Sequence, residues 1–104
     1  MLSRSDLFQL IVARLDGEEV EEPEYMDYLT SLVREGVGGF IIFGGSLESV
    51  RRSVAQLQSI SKVPLFIASD IERGVGQQLR GATRFPPQMA VAAAFHNRES
   101  QENL

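Results

Sequence analysis

Two carboxylates, Asp70 and Glu72, follow the apolar run Val63-Pro64-Leu65-Phe66-Ile67-Ala68-Ser69, with Arg73, Arg80 and Arg84 close behind. If the run is a strand of a parallel sheet, Asp70 lies just past its carboxyl end. There α/β folds place ligands, because loops vary while the scaffold stays rigid. An ionised carboxylate only accepts hydrogen bonds, so a short one in that place can take two from neighbouring hydroxyls of a sugar. The plainer duty for the same residue is capping a helix or pinning a loop. Were strand geometry to continue, Asp70 and Glu72 would share one face about 6.5–7 Å apart at the backbone, a spacing that invites a reading as paired glycosidase acids. Three arginines nearby argue instead for a glutamate tied to an arginine, and for arginines that fix the loop.

Other chemistry-bearing patterns are thinner. Gly74-Val75-Gly76-Gln77-Gln78-Leu79 begins like a dinucleotide fingerprint, but Leu79 stands where the third glycine belongs and no helix is expected to open there. Gly44-Gly45-Ser46, before a helical pattern, could hold an anion or simply turn the chain. His96 is the single histidine and nothing beside it has ligand spacing. No metal site and no organic cofactor are expected.

The elements that would position Asp70 follow from periodicity. The branched run Leu7–Ala13 reads as a first strand, ended by Asp16-Gly17, and the acidic stretch 16–24 reads as a solvated loop. Pro23 is placed to open a helix carrying Tyr25, Leu29, Leu32 and Val33 on one face, with Gly36 to stop it. Phe40-Ile41-Ile42-Phe43 is too short for a helix and reads as a strand buried on both faces. Ser46 caps a second helix marked by Leu47, Val50, Val54, Leu57 and Ile60. The third strand falls in 63–69, then a glycine- and proline-rich loop runs to about Met89, with Asn97 a candidate cap for a further helix. Strand and helix alternate at roughly 30 residues, the length of a βαβ unit, and right-handed crossovers set the strands parallel.

At 104 residues, 43% hydrophobic and 23% charged, the composition is that of one ordinary domain. The net charge of −4, with seven acids between Asp16 and Asp27 and scattered bases, argues against nucleic acid. The absence of cysteine excludes disulfides and thiolate metal sites. No 18-residue apolar stretch or signal-like start occurs, so no membrane partner is expected and a cytoplasmic location is the default.

Three linked segments carry a resemblance: Gly38-Gly39-Phe40-Ile41-Ile42-Phe43-Gly44; Pro64 through Asp70-Ile71-Glu72-Arg73-Gly74; and Gln77 with Thr83-Arg84-Phe85-Pro86-Pro87-Gln88-Met89-Ala90. In that order they resemble the N-terminal barrel domain of glycoside hydrolase family 3, which includes β-glucosidases and β-N-acetylglucosaminidases. The resemblance implies that Asp70 binds sugar hydroxyls in the −1 subsite, and that the nucleophile and the acid/base lie beyond residue 104, leaving His96 with no catalytic role. Many members have Glu-Gly-Gly-Arg-Val where this chain has Glu72-Arg73-Gly74-Val75-Gly76. It further implies retaining cleavage of a β-glycoside.

The expectation is therefore an α/β fold, a parallel βαβαβ segment over residues 1–104 forming the first part of a truncated TIM (β/α)8 barrel, since a whole barrel needs about 250 residues. The substrate-binding candidate is Asp70, with no catalytic residue in the chain, which alone should be inactive. The competing class is a stand-alone α/β binding or interaction domain without catalysis. Two open sheet edges predict that the isolated chain is marginal and self-associating.

Overall fold

The computed structural model describes residues 1–95; His96 and Asn97 lie outside the described residues. The elements are α1 (Arg4–Phe8), β1 (Val12–Asp16), α2 (Pro23–Glu35), β2 (Gly39–Phe43), α3 (Leu47–Ile60), β3 (Phe66–Ala68) and α4 (Gln88–Ala94), with a short 3-10 turn at Val75–Gln77. The three strands form one sheet in the order β1-β2-β3, each pair parallel. This is the expected parallel βαβαβ architecture, the opening segment of a (β/α)8 barrel.

The first strand begins later than expected. Leu7 and Phe8 belong to α1, because Ser3 and Asp6 form a reciprocal capping box that nucleates a helical turn ahead of the strand. Pairing starts only where Val12 meets Gly39 and runs to Asp16 opposite Phe43. The third strand is shorter than residues 63–69. Pro64 has no N–H to give, and the Gln58 amide takes both polar groups of Leu65, accepting from its N–H at 2.8 Å and donating to its carbonyl at 2.9 Å. Leu65 is thereby kept out of the ladder, which runs from Phe66 to Ala68. The loop ends about where expected, but the small residues that follow form α4 from Gln88 to Ala94, a helix not expected there.

The helices match their patterns. Pro23 starts α2 and Gly36, at φ 103°, ends it in the left-handed region open to glycine. The Ser46 hydroxyl accepts from the Ser49 N–H at the head of α3. Both helices pack on one face of the sheet, and the core there consists of Leu15, Phe40 and Ile42 beneath Leu29, Val33, Val50 and Leu57. The expectation that β2 is covered on both faces is not met: Phe40 and Ile42 are buried, whereas Ile41 and Phe43 are half-buried. Pleating sends Val12, Arg14 and Asp16, then Ile41 and Phe43, then Phe66 and Ala68 to the second face. Phe66 is 77% exposed there, and the Arg14 guanidinium lies over the Phe43 ring at 4.4 Å. In a closed barrel this face is the lumen.

Candidate functional site

The carboxyl ends of the three parallel strands open on one side of the sheet, through Gly17-Glu18 after β1, Gly44-Gly45-Ser46 after β2 and Ser69-Asp70 after β3. The β1 and β2 loops touch: a Cβ on Gly17 would fall 1.9 Å from the Gly44 carbonyl oxygen, so only glycine fits. Their contact is reinforced where the Gly17 N–H donates to the Phe43 carbonyl at 2.9 Å.

Asp70 is exposed at this mouth, two residues past Ala68 on a strand running parallel to β2. Its surroundings are fixed through the backbone. The Ser69 hydroxyl donates to the Ile42 carbonyl at 2.8 Å, and the Gln78 side chain donates to the Asp70 carbonyl at 3.0 Å. The carboxylate is thus presented by a pinned main chain rather than by a free loop.

Glu72 does not continue the strand, which removes the geometric basis for pairing it with Asp70. Nor is it tied to an arginine: among the described residues no base lies within ion-pair distance of it. Instead Gln77 accepts from the backbone N–H of Glu72 at 2.7 Å and of Arg73 at 3.0 Å, folding the turn back on itself. A cavity of about 550 Å³ between Glu72 and α4 is lined by Gly74, Phe85, Pro86, Val91 and Phe95. The Gly74–Leu79 stretch opens no helix, and the Gly76 N–H donates to the Thr83 carbonyl at 2.7 Å. It is a self-closed turn without the helix N-terminus that a dinucleotide phosphate needs.

Of the three arginines, Arg80 fixes the loop, and its partner is Glu18, 62 residues earlier in sequence. Glu18 also accepts from the Gly45 N–H at 3.1 Å, while the Gly44 N–H donates to Gln78 at 3.2 Å. The turn amides that could have met an external anion are therefore engaged by the chain's own side chains. Backbone bonds complete the joint, Arg80 N–H to Gly45 carbonyl at 2.9 Å and Leu47 N–H to Arg80 carbonyl at 2.8 Å. Arg80 thus has the loop-fixing role expected of it, whereas its partner Glu18 and the neighbouring Gln78 are the site residues that sequence reasoning missed. The available signal was Val20, an apolar residue inside the acidic run, which is 3% exposed and anchors a stretch that reads as wholly solvated.

The hydrogen bond from Arg80, and after it the Gly45 N–H, holds the Glu18 carboxyl below the ordinary glutamate range. Glu18 therefore stays ionised and is poorly suited to donating a proton. Because its pKa is depressed on folding, it contributes stability above the unfolded pKa and loses it as pH falls through the folded value. Acidification from neutral to below 4.5 should then release Arg80 and lower the hydrogen-exchange protection factors of the Gly45 and Arg80 amides, each taken relative to the intrinsic exchange rate at that pH. Glu18→Gln should abolish that response. Protection factors unchanged by acid in the unaltered chain would contradict the clamp.

No helix among the described residues is long and apolar enough to cross a membrane. Residues 6–103 match the model of the glycosyl hydrolase family 3 N terminal domain. Over 72 residues, 69% of this chain, the sequence is 36% identical to a beta-N-acetylglucosaminidase/beta-glucosidase of Cellulomonas fimi. The chain spans 12% of that relative's length. With a parallel βαβαβ sheet and a match covering nearly every residue, the chain belongs to glycoside hydrolase family 3, as part of its N-terminal domain.

Proposed function

We propose that the chain forms the first part of the barrel of a retaining β-glycosidase, of the β-N-acetylglucosaminidase or β-glucosidase type, with Asp70 holding the sugar. The observation that carries this reading is the placement of an exposed carboxylate past the carboxyl end of a parallel strand, on a backbone pinned from two sides. Such a group accepts hydrogen bonds from two adjacent hydroxyls, and charge-assisted bonds of this kind are stronger than neutral ones. It fixes the ring's position and leaves bond-breaking to other groups.

Retaining cleavage needs a nucleophile that attacks the anomeric carbon and an acid that protonates the departing oxygen. Glu18 is occupied by Arg80 and Gly45. Asp16 accepts from the Glu18 N–H at 3.1 Å, as a turn-forming aspartate. The resemblance to family 3 implies that both roles belong to residues beyond 104, so on this reading the 104-residue chain binds without turnover.

The test is a comparison of the product of the native reading frame with the 104-residue chain, on an aryl β-glucoside and an aryl N-acetyl-β-glucosaminide. Hydrolysis is expected from the first and none from the second. Sugar binding by both with hydrolysis by neither would instead favour a carbohydrate-binding domain.

A further inference from the structure

We infer that Gln78 is a positioning residue for Asp70, its amide acting as a strut between the mouths of β2 and β3. The inference rests on the proposed sugar-binding role of Asp70 and adds the group that sets where its carboxylate stands. The β2–β3 ladder ends at Ile41 opposite Ala68, so the sheet itself does not hold Asp70. Beyond that point Gln78 spans the gap: its Oε1 accepts from the Gly44 N–H at 3.2 Å and its Nε2 donates to the Asp70 carbonyl at 3.0 Å.

The chemistry of the two partners selects this residue type. An N–H can only donate and a carbonyl can only accept, so the strut must do both at once, which also settles which end of the amide is oxygen. Arginine and lysine lack the acceptor, glutamate lacks the donor, and asparagine is one carbon shorter. The neighbouring Gln77 differs in kind, because its Oε1 meets two N–H donors and a carboxylate could do the same. Gln78 is itself seated by the turn that the Glu18–Arg80 pair and the Arg80–Gly45 backbone bond fasten to the sheet. Errors of about 1 Å in a substrate-positioning group cost on the order of a hundredfold in rate, so loss of the strut should lower kcat/KM between about ten- and a hundredfold.

A double-mutant cycle in the product of the native reading frame tests this, with kcat/KM on the better of the two aryl glycosides as readout. Gln78→Met should lower kcat/KM by that factor in the natural background and by less than about threefold in an Asp70→Ala background, because it acts through Asp70. Full multiplication of the two losses, or no loss from Gln78→Met alone, would overturn the inference while leaving the role of Asp70 standing. An Asp70→Ala variant with unchanged kcat/KM would instead remove the sugar-binding reading of Asp70, and the strut with it. Should Gln78→Met fail to fold, Gln78→Glu runs the same cycle, keeping an acceptor for Gly44 while setting a second oxygen against the Asp70 carbonyl.

Discussion

Asp70→Ala, made in the product of the native reading frame, should lower kcat/KM on an aryl β-glycoside by about 10²–10⁴-fold and leave the melting temperature unchanged. The magnitude follows from two hydrogen bonds to a charged acceptor, each worth about 1.5–3 kcal/mol, with a tenfold change for each 1.4 kcal/mol. The fold should be indifferent because the side chain is exposed, and the contact that Asp70 makes to Gln78 uses its carbonyl, which alanine retains. Asp70→Asn should fall between, since it keeps one acceptor oxygen and loses the charge. Steady-state kinetics beside a thermal melt separates the two effects. A variant that unfolds would instead assign Asp70 to the loop-pinning role available to any aspartate after a strand.

The second large effect concerns stability. Phe40 is fully buried on the central strand, between the sheet and the helix layer. Truncating such a phenylalanine costs about 3–5 kcal/mol, against a total of about 5–15 kcal/mol for an ordinary domain. Among the described residues only one face of the sheet is covered by helices, so Phe40→Ala should abolish the cooperative urea transition of the 104-residue chain. Phe66→Ala is the matched control. The side chain is the same and the strand adjacent, but it is 77% exposed, and its loss should change stability by no more than about 0.5 kcal/mol. Equal costs at the two positions would mean that the lumen face is covered in solution.

Local signals decided which elements were legible. Pro23, Gly36 and Ser46 act on their own neighbours, so α2 and α3 could be bounded from sequence, as could β2 between its glycine pairs. The placement of Asp70 past a parallel strand was legible for the same reason: an apolar run ending in Ser69-Asp70 needs no distant partner to be recognised. Errors arose where a contact from elsewhere in the chain took over. Gln58 withdraws Leu65 from β3 across seven residues, while the late start of β1 is the exception, since the Ser3–Asp6 capping box that forms α1 is itself local. The Glu18–Arg80 and Gly44–Gln78 contacts span 62 and 34 residues. No periodicity encodes them, so an acidic stretch that looks merely solvated turns out to lock the turn that carries Gln78. The exposure of Ile41, Phe43 and Phe66 has the opposite origin, since a run patterned for burial on two faces finds only one layer of helices among the described residues.

A crystal structure of the product of the native reading frame with glucose or N-acetylglucosamine bound tests the sugar-holding role of Asp70 most directly. Its two carboxylate oxygens should each lie about 2.5–3.0 Å from one of two adjacent ring hydroxyls, with the Gln78 amide still joining Gly44 to the Asp70 main chain. A sugar seated at the barrel mouth with the Asp70 carboxylate turned away from it, or engaged only with protein groups, would contradict that role.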